Sequence, residues 1–255
     1  MAIESNDGCA ARVAVAAGQL LVDQRGRVRS ADEVSVDVAA DQLVRELLAE
    51  ARPDDAILSE ELASVGDRLS ARQVWIIDPL DGTREYNEAG RTDWAVHVAL
   101  WQTGRLVAGA VALPALGQVW STADPAPHPT ERRIRRIAVS RTRPPTWAAD
   151  VAEELDAELV PMGSAGGKAV AVITGVVDAY VHDGGQYEWD SAAPVAVARH
   201  YGLHASRADG SDLEYNKPEP WSPDLVICPR VEAGRLLANV ARTRSGQGDA
   251  KEEVL

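Results

Sequence analysis

Apolar residues recur three and four positions apart over residues 8–24, the spacing of one face of a helix. The same period returns over 34–51, where Val38, Val44, Leu47 and Leu48 share a stripe and Pro53 follows the end. Then the period shortens. Residues 56–59 and 73–77 are brief apolar runs that both stop at carboxylates, and runs at 95–101, 106–113 and 118–122 continue the strand pattern. Gly104 and a turn at 114–117 part the last three. Two helices followed by strands predict an α+β first half on an antiparallel sheet. Residues 124–129 carry Pro125, Pro127 and Pro129 and read as a linker. Beyond it, strands at 134–139, 158–161, 179–182 and 225–228 alternate with helices at 147–155, 167–175, 191–200 and 231–242. That alternation predicts an α/β half with a partly parallel sheet. The polar last dozen residues read as a frayed tail. The expected division is therefore 1–130 and 131–255.

Charge narrows the partners. The chain has 255 residues, with 26 Lys+Arg against 39 Asp+Glu and a net charge of −13. So acidic a surface repels nucleic-acid polymers and anionic membranes. Only Cys9 and Cys228 carry thiols, which excludes a disulfide scaffold and favours free cysteines in a reducing compartment. Glu4 and Asp7 stand where a signal peptide would be basic, and the apolar stretch 13–22 is broken by Gly18 and Gln19. It is far short of the ~20 residues that span a bilayer. The expectation is a soluble cytoplasmic protein, monomer or homodimer, acting on a small molecule.

The chemistry gathers where apolar runs end. In Trp75-Ile-Ile-Asp78-Pro-Leu-Asp81-Gly-Thr83 a buried strand delivers Asp78, Pro79 breaks it, and Asp81 follows three residues on. Two carboxylates on a stiff turn repel unless a cation lies between them, and hard divalent cations prefer oxygen donors. The amides of Gly82 and Thr83 at a helix start suit an anion. Glu60 and Glu61 end another apolar strand, and Asp190 opens an apolar helix in Glu188-Trp189-Asp190-Ser-Ala-Ala-Pro194. Each has a plainer reading: an Asp-Pro-x-Asp-Gly turn, a solvated helix start, a carboxylate favoured by the helix dipole. Three acid-bearing element ends together point instead to a metal-dependent phosphatase. The five histidines, His97, His128, His182, His200 and His204, have no zinc-type spacing.

The segments Leu58-Ser-Glu60-Glu61, Trp75–Thr83 and Trp189-Asp190-Ser-Ala-Ala-Pro194 resemble the signature of the inositol monophosphatase superfamily, over residues 8 to 242. The resemblance implies a layered αβαβα fold and a Mg²⁺-dependent, Li⁺-sensitive phosphomonoesterase holding two or three ions, with Mn²⁺ as an alternative. It implies that Glu60, Asp78, the Leu80 carbonyl, Asp81 and Asp190 hold the metals and that a metal-activated water is the nucleophile. Thr83, Asp41 and Glu60 become the catalytic candidates, Thr83 being supported by a helix carboxylate: Asp41, or Asp37 one turn away. Where the family often has a lysine, this chain reads Arg29-Ser30-Ala31-Asp32.

Substrate choice rests on the second half. Arg132, Arg133, Arg135, Arg136, Arg141 and Arg143 crowd one segment, and Ser140-Arg141 lies just past a strand. Met162-Gly163-Ser164-Ala-Gly166-Gly167-Lys168 places amides and a rare lysine at a helix start. These segments, with Thr83-Arg84-Glu85-Tyr86 and Leu213-Glu-Tyr215-Asn216, resemble the CysQ-type branch, phosphatases of 3′-phosphoadenosine 5′-phosphate in sulfate assimilation. The implied substrate contacts are Gly82, Thr83, Ser140, Arg141, Gly163, Ser164, Lys168, Asp183 and Asp190. The implied reaction removes the 3′-phosphate of adenosine 3′,5′-bisphosphate, or of its 5′-phosphosulfate analogue. Inositol 1-phosphate or fructose 1,6-bisphosphate is the alternative substrate.

Overall fold

A computed structural model describes residues 4–27, 33–61, 63–64, 67–125 and 131–252. The period-3.6 segments near the start form α1 (Asn6–Gln24) and α2 (Val36–Ala51). Strands β1 (Ala56–Ser59) and β2 (Gln73–Asp81) lead through the short α3 (Thr83–Asn87) to β3 (Ala95–Gln102), β4 (Arg105–Leu113) and β5 (Gln118–Ser121). These strands pair in chain order, β1 parallel to β2 and the rest antiparallel. The first sheet is therefore mixed rather than wholly antiparallel. After the linker come β6 (Arg136–Ser140), α4 (Ala148–Leu155), β7 (Glu158–Met162), α5 (Ala165–Thr174) and β8 (Ala179–Tyr187). Then follow α6 (Glu188–His200), β9 (Leu203–Ser206), β10 (Trp221–Pro229) and α7 (Arg230–Glu252). The second sheet has the order β7-β6-β8-β10-β9, with both β6 pairings parallel and both β10 pairings antiparallel.

Alternation assigns the faces. On β2, Trp75 and Ile77 pack with Val13, Leu21, Val44 and Leu48 of α1 and α2, while Val74 and Ile76 face the other way. There they meet α5 and α6, which lie between the sheets, and the residues of β8 to β10 close the same core. Helices α4 and α7 cover the outer face of the second sheet around Ile134, Trp147 and Leu236. The order helix, sheet, helix, sheet, helix is the αβαβα sandwich. Gly109 of β4 lets α6 come close, because a Cβ there would stand 2.6 Å from the Ala196 methyl.

Several boundaries differ from the sequence pattern. Pro79 does not end β2: Asp78 pairs with His97 and Asp81 with Ala95, so the strand absorbs one extra residue as a bulge, where a missing N–H is harmless. Strand β8 likewise runs on through Gly184 and Gly185, both at positive φ, with a register shift opposite Ser222 and Asp224. Strand β9 was not anticipated. The expected frayed tail is helical to Glu252 as part of α7. His200 closes α6 and His204 lies on β9, so they share no helix face. Of the proline linker, residues 126–129 lie outside the described residues, as does the Arg29–Asp32 stretch.

Candidate metal and phosphate site

Strands β1 and β2 run parallel, so their carboxyl ends lie side by side. Glu60 follows the first, its amide donating to Ile77 O at 3.4 Å, and the β2 bulge presents Asp78 and Asp81. The bulge is fixed from within: Leu80 N donates to Asp78 Oδ1 at 3.0 Å, and Thr83 Oγ1 donates to Leu80 O at 3.2 Å. From the other sheet, β8 turns straight into α6, whose first turn carries Asp190. One oxygen from each of Asp78, Asp81 and Asp190 lies within 4.8 Å of the others.

Buried carboxylates this close cannot all ionise without compensation. Burial, then Asp81, Glu60 and Asp190, push Asp78 well above the usual carboxylate range. Burial and Asp81 raise Asp190 to about 7. Burial and the neighbouring Glu61 raise Glu60. Asp81 goes the other way. Burial opposes its charge, but His97, Lys168 and Ser164 outweigh it and hold Asp81 at about 2. Ser164 Oγ donates to Asp81 Oδ2, Gly166 N donates to the same oxygen at 2.9 Å, and His97 Nε2 stands 3.2 Å from it without a hydrogen bond. The donors are all oxygen, buried and mutually repelling, which fits a hard divalent cation better than a soft metal.

A cavity of 730 Å³ opens beside this cluster. Glu60, Asp81 and Asp190 line it together with Gly82, Thr83, Ser140, Arg141, Gly163, Ser164 and Lys168, so most of the expected substrate contacts do share one space. Two of the cations are already engaged. Lys168 is buried, its Nζ donating to Gly163 O at 3.2 Å and Ser164 O at 2.6 Å, so it braces the loop that holds Asp81. Arg141 bonds Glu85 at 2.7 Å and Glu88 at 2.8 Å, joining the rim of the second sheet to α3.

Two expected residues lie elsewhere. Asp183 is absent from the cavity wall, because strand alternation turns it to the far face of β8. There it accepts from the Trp147 indole and from Gly184 N at 2.8 Å. Asp41 does not support Thr83: it is fully buried between Ser59 Oγ and Arg45 Nε. Asp37, one turn earlier, is the α2 carboxylate whose charge reaches both Glu60 and Glu61.

Sequence reasoning missed His97, whose Nδ1 lies 3.1 Å from Trp189 O beside Asp190. The signal was available, since Ala95, His97 and Ala99 occupy one face of an alternating buried strand. Glu85, Arg84 and Arg143, named in the sequence only within longer segments and not as contacts, also line the cavity, and neither Arg84 nor Arg143 has an ion pair among the described residues.

The chain is similar to proteins already known. The pattern of the Inositol monophosphatase family matches residues 2–245. A Mycobacterium leprae protein named 3′-phosphoadenosine 5′-phosphate phosphatase is 48% identical over 250 residues, 91% of this chain and 92% of its own length. The 3′(2′),5′-bisphosphate nucleotidase CysQ of Salmonella typhimurium is 30% identical over 197 residues, 72% of this chain and 80% of its own. Among solved structures, an inositol monophosphatase from Anabaena superposes with a TM-score of 0.77 at 20% identity, covering 92% of this chain and 94% of that one.

Proposed function

The chain belongs to the inositol monophosphatase family, and from that premise we propose that it removes the 3′-phosphate of adenosine 3′,5′-bisphosphate, releasing AMP and inorganic phosphate. Metal dependence is general to that family. The observation that carries the reading is one cavity lined both by a carboxylate cluster and by arginines, as a substrate with two phosphates requires. The activity named for the Mycobacterium leprae relative supports the same substrate.

Asp78, Asp81, Asp190, Glu60 and the Leu80 carbonyl would hold the cation, which we assign as Mg²⁺, two or three ions, on the chemistry of the donors. Bound there, it supplies Lewis-acid polarisation of the phosphoryl group and acidifies water. The chain's own groups do the rest. Asp81 stays ionised because Ser164, Gly166 and His97 stabilise its charge. Burial and the neighbouring carboxylates favour the neutral forms of Asp78 and Asp190, and any proton held there must leave before the group serves as a ligand. Glu60, with its raised carboxyl, can accept and hold a proton at the cavity wall. Thr83 sits where its hydroxyl donates to the bulge carbonyl, and Asp37 is the helix carboxylate whose charge reaches both glutamates. The amides of Gly82 and Thr83 orient the phosphate that is cleaved.

For the second phosphate the structure favours different cations from the expected pair. Lys168 and Arg141 are committed, whereas Arg84 and Arg143 have guanidinium groups to offer. The two thiols, Cys9 and Cys228, are buried and free, which supports the cytoplasm as the compartment. No helix among the described residues is long and apolar enough to cross a membrane.

Phosphate release in Mg²⁺, from adenosine 3′,5′-bisphosphate and from myo-inositol 1-phosphate at equal concentration, tests the reading. A strong preference for the nucleotide, abolished by EDTA, is expected. Equal or faster release from inositol phosphate would leave the metal site standing and overturn the substrate.

A further inference from the structure

Carboxylates and arginines explain how a bisphosphate is gripped, but neither distinguishes a nucleotide from a sugar bisphosphate. The wall of the cavity does. Among the described residues, the only large aromatic side chains left exposed are Tyr187 and Trp221, at 50% and 47%, and both line the cavity. Tyr187 ends β8 and Trp221 begins β10, and they are cross-strand partners. Tyr187 stacks on Trp189 with ring centroids 4.7 Å apart and planes 10° apart. The Trp221 indole lies against Gly185, where a Cβ would come within 2.5 Å of Nε1, so the glycine makes room for the ring.

The shelf is also registered to the reaction centre. Tyr187 N donates to Asp190 Oδ2 at 2.6 Å, so the same few residues of backbone carry both an aromatic plane and a carboxylate of the cluster. Exposed aromatic faces are costly to leave in water and are the features on which bases stack without reading their edges. A phosphorylated inositol or hexose offers no flat face to such a shelf.

We propose that Tyr187 and Trp221 form a stacking shelf for the nucleobase of the substrate and set the preference for nucleotides over base-free phosphate esters. This rests on the nucleotide reading above and extends it to the base.

Calorimetric titration in Mg²⁺ with AMP and with ribose 5-phosphate separates the base from the phosphate. The unaltered protein should prefer AMP. Trp221→Ala should weaken AMP by about ten-fold and ribose 5-phosphate by much less, while Trp221→Phe, which keeps a ring, should recover most of the loss. If Trp221→Ala does not fold, Tyr187→Leu and Trp221→Phe give the same comparison. Equal weakening of both ligands, or no preference for AMP in the unaltered protein, would overturn the shelf. Failure of the nucleotide reading would look different: no phosphate released from adenosine 3′,5′-bisphosphate, with the AMP preference still deciding the shelf.

Discussion

Asp81 on β2 and Asp190 on α6 face the same space, yet their carboxyls are shifted in opposite directions. Asp81 lies in a socket made by the start of α5, with Ser164 Oγ, Gly166 N and His97 around one oxygen, and is held at about 2. Asp190 accepts one backbone amide, that of Tyr187, and burial with like charges lifts it to about 7. The fold supplies the counter-charge of one carboxylate itself and leaves that of the other to a ligand.

The comparison can be broken hardest by charge removal. Asp81→Asn and Asp190→Asn should each lower phosphate release by three or more orders of magnitude, roughly the effect of losing a ligand to a catalytic ion. In EDTA they should part. Asp81→Asn forfeits charge-assisted hydrogen bonds worth about 1.5–3 kcal/mol each and should melt several degrees lower. Asp190→Asn removes a buried repulsion and should melt at or above the unaltered protein.

Next comes pH. Protons on Asp190, Asp78 and Glu60 all compete with the cation, so divalent-ion affinity measured by calorimetry should rise by at least about ten-fold per pH unit between 5 and 7. Asp190→Asn should make that slope shallower. Metal-free stability runs the opposite way. The folded pKa of Asp190 lies above its ordinary value of about 3.9, so its contribution is complete below pH ~4 and is lost as pH rises through about 7. Asp81, depressed to about 2, contributes above pH ~4 and fails only on acidification through 2. The metal-free melting temperature should therefore fall from pH 5 to pH 8.

A smaller effect comes from crowding the socket. An added Cβ at Gly166 would collide with His97 Nε2, so Gly166→Ala should displace the groups around Asp81 and cut turnover by about ten- to a hundred-fold, in line with misplacing a supporting partner. The smallest is at Asp183. Its carboxylate serves Trp147 behind β8, so Asp183→Asn should cost about 1 kcal/mol of stability and change kcat/KM by less than about three-fold.

The fold class and the three meeting aspartates were legible because each acid lies at the end or the start of an apolar element, where a buried element must present its polar groups. The end of another apolar run also offered Glu60 and Glu61, and the resemblance chose Glu60 of the two. Boundaries were legible only where a stop signal has a single structural outcome. Pro79 was read as a break, yet a bulge also satisfies a residue without an N–H. The role of Lys168 was hidden because a lysine at a helix start looks the same whether its ammonium meets a ligand or curls back onto Ser164 O. Asp37 and Asp41 share a helix face, and only the positions of Ser59 and Arg45 decide which one is taken. Asp183 failed on parity: β8 extends through the glycines, and one strand step points His182 into the cavity and Asp183 away.

The central helical layer has a consequence for how the chain is made. Ala95, Ala99, Val111 and Leu113 of the first sheet are covered by Ala192, Ala193 and Val195 of α6, which the ribosome delivers some eighty residues after the last of those strand positions. Synthesis at about 5–20 residues per second leaves that oily face bare for several seconds or more. Nascent chains of this protein should therefore engage holding chaperones until α6 emerges, and a truncation just before it should aggregate rather than fold.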